Sequence, residues 1–239
     1  MAYFAACIFL SAFLLFQVEP MIGKLILPWF GGTPAVWSTV MLFFQAVLTG
    51  GYAYAYWLIG RMRRKESLHL VMLGISLALL LALGFVWKSP ITPSTNLAPL
   101  ASASPIWQIF KLLAISVGLP FFLLASNSPL IQAWFLRAYP ERSPYRLYAL
   151  SNAGSMIALI SYPILVEPNL SLTWQGRIWS IGYFIFAGME AQMRGSMFPM
   201  NINEQVIRPL ISNVAVIGLF LIPLISMRLF AEEKRAGTF

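Results

Sequence analysis

Leu68 to Trp87 is a run of 20 residues without a single Asp, Glu, Lys or Arg. At 1.5 Å per residue it makes about 30 Å of helix, the thickness of a bilayer hydrocarbon core. Similar apolar stretches occupy Ala2–Val18, Pro34–Ile59, Ile106 to about Phe135, Leu147–Val166 and Leu210–Phe230. Only 10% of the chain is charged, whereas an ordinary soluble domain carries about a quarter. The fold class these runs predict is all-α, a polytopic transmembrane helical bundle with the lipid bilayer as its solvent.

Charge sets the expected orientation. Arg61, Arg63, Arg64 and Lys65 form the densest basic cluster, and a second basic loop runs from Arg137 to Arg146. The positive-inside rule puts both loops in the cytoplasm, and this accounts for the net charge of +8 without any nucleic acid partner. Lys88–Pro105, rich in Pro, Ser and Thr, reads as an exposed outer loop. The tryptophans fall mostly near predicted span ends, as an interfacial belt does. After Glu167-Pro168 the pattern weakens. Ile178–Met189 is apolar over 12 residues, about 18 Å of helix and too short to cross. The expectation is six full spans plus one short or incomplete helix, with both termini cytoplasmic. No removable signal peptide is expected, because no basic residue precedes the first apolar run.

Few side chains are available for chemistry. There is no Asp, one His (His69) and one Cys (Cys7), and no Gly-rich phosphate loop. Metal centres, internal disulfides and nucleotide cofactors are therefore not expected. The weak candidates are Gln17, Glu19, Lys24, Gln45, Asn127 and Asn152. Ionisable groups at membrane depth suggest a polar path, and the competing reading is that they brace helices or sit at the interface. His69 reads as an ordinary interfacial residue. Around Glu19 and Lys24, Pro20, Pro28 and Gly31-Gly32 predict an elbow containing a short helix that ends at Leu27. Thr33-Pro34 then supplies N-cap and first turn of the next span. Pro120 is expected to kink the fourth span, and Ser126–Pro129 to break it. The pairs Ala46/Gly50, Gly51/Ala55, Ala149/Ala153 and Gly154/Ala158 are spaced for close helix approach.

Two resemblances follow from longer motifs. Phe16-Gln-x-x-Pro-Met-Ile-Gly-Lys-x-Ile-Leu-Pro-Trp-Phe-Gly-Gly-x-Pro-Ala-Val-Trp37, Ser126–Phe135 and Pro144–Ser155 resemble the membrane portion of bacterial fused spermidine synthase-like proteins. The resemblance covers residues 1–187, about five spans plus a short sixth helix. It implies a membrane unit likened to half of a major-facilitator transporter, set in the bacterial cytoplasmic (inner) membrane. In that family it precedes a soluble aminopropyltransferase-like domain. No such domain is present in these 239 residues, so the expected role is non-catalytic: transport or anchoring of a small amine, with the enzyme as a separate partner. Residues 188–239, with Pro199–Pro209 and Met227–Thr238, are similar to gliding-motility-type ABC-2 permeases. This implies one span and a cytoplasmic tail, in which Glu232, Glu233, Lys234 and Arg235 would couple to an ABC ATPase subunit. The change of family near residue 188 also raises a truncated or fused reading frame with no function of its own.

Overall fold

The computed structural model describes residues 1–60, 62–87, 89–93 and 104–197, and the side chains of 62–66 and 195–197 lie outside that description. The predicted last span and the tail with Glu232, Glu233, Lys234 and Arg235 also lie outside the described residues. Among the described residues the protein is all-helical, the sole extended pairing being an isolated bridge between Ser89 and Thr92. Five helical segments are long and apolar enough to cross a membrane.

Helix α1 runs unbroken from Ala2 to Phe30, with Pro20 and Pro28 inside it. The predicted elbow is therefore not there: Glu19 and Lys24 sit on the first helix itself. In lipid, helix is the way a chain satisfies its backbone, and local adjustment absorbs the lost proline N–H. The turn comes at Gly31, whose φ of 82° suits a residue without Cβ. Helix α2 spans Pro34–Gly60. Its start is as predicted, with the Thr33 carbonyl accepting from Val36 and Trp37 N–H, and the Thr33 hydroxyl 3.4 Å from Val36 N.

Helix α3 spans Met62–Val86. The segment after it is not simply an exposed loop, since Ser89 and Ile91 are buried. The fourth rod consists of α4 (Pro105–Leu113), a π-turn at Ala114–Gly118 and α5 (Leu119–Ala138). Pro120 sits just past the π-turn, which accommodates the missing donor and the ring. Ser126–Pro129 does not break the rod. The fifth rod repeats the device: α6 (Tyr145–Ser161), a π-turn at Tyr162–Val166 containing Pro163, and α7 (Glu167–Asn169).

Helix α8 runs from Leu172 to Met197, 26 residues and about 39 Å. This corrects the short helix expected over Ile178–Met189. The helix continues through residue 188 without interruption, although it does not reach the apolarity of the five candidate spans. Its length reflects packing. Trp179 Nε1 donates to Leu14 O at 2.8 Å, Tyr183 and Ser76 hydroxyls meet at 2.8 Å, and Gly182 takes the Leu14 side chain.

The core is organised around α1, which packs against α2, α5, α6 and α8, while α2 also packs along α5. Two glycines permit the closest approaches. A Cβ on Gly154 would stand 2.7 Å from Phe9 O, and one on Gly51 would stand 2.8 Å from the Ala125 Cβ and 2.9 Å from Phe122 O. Met1 and the α5–α6 loop share one end of the bundle, joined by Arg142 Nη1 and Met1 Sδ at 3.2 Å.

Candidate functional site

A groove of about 480 Å³ opens between α1, α2 and the α6–α7 rod. From α1 come Glu19, Pro20, Lys24 and Leu27; from α2, Trp37, Val40, Met41 and Phe44; from the fifth rod, Leu159, Tyr162, Pro163 and Glu167. Lys24 Nζ lies 2.8 Å from Glu167 Oε1, each side chain 41% exposed. The partner of Lys24 is thus far along the chain, on the fifth rod. Glu19 borders the same groove and makes no hydrogen bond or ion pair to any described residue. Two carboxylates and one ammonium thus face a cavity otherwise walled by aromatic and aliphatic carbon.

The remaining predicted side chains disperse. Gln17 is buried and braces α1 to α6, donating from Nε2 to Ala158 O and Ser161 Oγ, both at 2.9 Å. Asn127 is also buried, and its Nδ2 donates to Ser11 Oγ at 2.7 Å. Gln45 and Asn152 are on the exposed surfaces of α2 and α6. These four therefore do not join the groove: two brace helix pairs, and two face outward.

Sequence reasoning missed a second constellation at the Met1 end. His69, expected at an interface, is fully buried, and its Nε2 lies 2.8 Å from Glu190 Oε1, itself fully buried. Tyr54 from α2 brings its hydroxyl to 3.2 Å from His69 Nδ1. Arg194, one turn beyond Glu190, places Nε 3.5 Å from the same carboxylate oxygen and its guanidinium carbon 3.9 Å from the centre of the Trp134 ring. The one available signal was the i,i+4 spacing of Glu190 and Arg194, which marks one helix face. Nothing local announced that His69 would meet it.

No protein-family model, curated protein or solved structure matches this chain. Among the described residues, fold and sites together define a class: an all-helical protein with five helices fit to cross a membrane, a charged groove and a buried ionic cluster.

Proposed function

We propose that this chain is a non-catalytic, multi-pass module of the bacterial cytoplasmic membrane that binds a small organic amine, for transport or for presentation to a partner enzyme. The observation that carries the reading is the groove holding Glu19, Lys24 and Glu167. Lys24 already places an alkylammonium 2.8 Å from Glu167, so the groove accepts the very group an amine would bring. Glu19 supplies the second carboxyl group, and Trp37 and Tyr162 add aromatic rings, which attract cations, to the lining. The volume of about 480 Å³ lies within the usual range of small-molecule sites, about 300–1,000 Å³. Resemblance of residues 1–187 to the membrane part of fused spermidine synthases supports the same substrate class, with a separate aminopropyltransferase-like subunit as partner.

The ABC-2 permease reading draws on residues 188–239, mostly outside the described residues. The fused-frame reading is disfavoured by one observation. Glu190 and Arg194, just past the change of family, pack against His69 and Trp134 from the earlier part of the chain.

The test is calorimetric titration of the full chain in lipid nanodiscs with spermidine and with putrescine. Binding should be saturable, and Glu19→Gln should weaken it by about tenfold or more, the loss expected for a hydrogen bond to a charged group. Absence of saturable heat at millimolar amine, or equal affinity in Glu19→Gln, would overturn the reading.

A further inference from the structure

The cluster at the Met1 end has features that a purely structural ion pair does not need. Glu190 and Arg194 already pair within α8, with Nε 3.5 Å from Oε1 and the guanidinium set over the face of Trp134, yet the shorter contact of that carboxylate, 2.8 Å, is to the imidazole of His69. The carboxylate is thus presented to an imidazole, a group that can take up or release a proton. Both oxygens of the carboxylate and His69 Nε2 are buried without a well-aligned hydrogen bond among the described residues, the 2.8 Å approach of Nε2 to Oε1 being an ion-pair contact. A bare carboxylate oxygen in a dry interior is costly unless a proton or a second cation answers it.

From these contacts we propose that His69, Glu190 and Arg194 form a proton-binding site, with the proton held on the His69 imidazole against the Glu190 carboxylate. The balance is simple. One proton taken from the aqueous phase at the Met1 end turns the neutral His69 imidazole into an imidazolium and raises the charge of the cluster by one. Tyr54 completes the site. Its hydroxyl, 3.2 Å from Nδ1, can donate to that nitrogen when it is bare and accept from it when it is protonated. Among the described residues, the groups in and around the cluster besides His69 are Cys7 from α1, Tyr54 from α2, and Tyr183, Glu190 and Arg194 from α8, while α5 contributes Trp134. His69 belongs to α3 and Glu190 to α8, so the proton also sets how firmly those two helices are tied.

His69 is the sole histidine, so ring-¹⁵N-histidine labelling of the full chain in nanodiscs gives signals from this site alone. The ring nitrogens should pass from the neutral to the imidazolium pattern in one transition between about pH 9 and about pH 5. Glu190→Gln should lower the proton affinity of His69 by about tenfold or more, because an opposite charge at this distance favours the protonated ring. Tyr54→Phe should leave the transition in place and move the Nδ1 resonance. A wild-type imidazole fixed in one charge state throughout that range would overturn the proposal even if Glu190→Gln does not fold. So would a transition whose midpoint is the same in wild type and Glu190→Gln.

Discussion

At the scale of single residues, the contacts that decide the fold are made by side chains that are small or missing. Gly51 and Gly154 lie where another helix brings backbone oxygen into the space a Cβ would fill, while Gly74 on α3 meets nothing within 4 Å. Gly154→Val therefore has to push α6 away from Phe9, and overpacking of this kind costs about 1–3 kcal/mol. Its thermal unfolding midpoint in detergent should fall by several degrees. Gly74→Ala should be neutral or stabilising by up to about 1 kcal/mol, the helix-propensity difference. A Gly154→Val midpoint equal to wild type would show that the α1–α6 approach is looser than 2.7 Å. The spacing of the small residues made two of the four expected faces legible in advance: Ala55 and Ala158, the partners of Gly51 and Gly154 at i+4, are fully buried, whereas Ala46 and Ala149 of the other two pairs are exposed. What spacing withholds is the identity of the opposing atoms. The same holds for Lys24, whose partner Glu167 lies 143 residues away.

Among the elements, prolines and charges misled for related reasons. Proline breaks helices because it lacks a backbone donor and its ring clashes with the carbonyl one turn back, and in water the freed groups bond to solvent. A bilayer would remove that option, and here α1 carries Pro20 and Pro28 while the fourth and fifth rods absorb Pro120 and Pro163 with π-turns. Pro120→Ala should restore the backbone donor and leave amphiphile-solubilised helix content unchanged by circular dichroism; a loss of helix would mean that the π-turn has another cause. Helix α8 failed a different test. A hydropathy window counts Glu190 and Arg194 as polar, but their charges are met by His69 and Trp134 on other helices. The far end of α8 consequently reaches the end of the bundle where α3 begins and where Tyr54, Trp134 and His69 cluster. A reporter fused after residue 198 should thus report the same side as one fused after residue 142, in contrast to the opposite sides that the apolar length of Ile178–Met189 suggested. Opposite-side signals from those two fusions would rule out α8 as a through-running helix.

For the molecule as a whole, the arrangement makes α1 the shared wall of the bundle and leaves other helices half-wrapped. The most apolar window of α1 is 56% buried and that of the fourth rod 61%, against 22% for α3 and 17% for the fifth rod. Large hydrophobic side chains are exposed on these helices, such as Phe85 on α3 and Ile164 and Leu165 on the fifth rod, and such exposure calls for an apolar surrounding. In the proposed membrane setting lipid supplies it. A photoactivated hydrophobic carbene reagent dissolved in the bilayer should consequently mark α3 and the α6–α7 rod several-fold more heavily than α1, when peptides are quantified by mass spectrometry. Reagent partitions by depth as well as by exposure, so the comparison belongs between windows at equal depth, such as residues 10–18 of α1 and 72–80 of α3. Even labelling of those two windows would mean that α1 is not enclosed, and with it would go the inward position of Leu14, Gln17 and Val18 on which the α6 and α8 contacts depend.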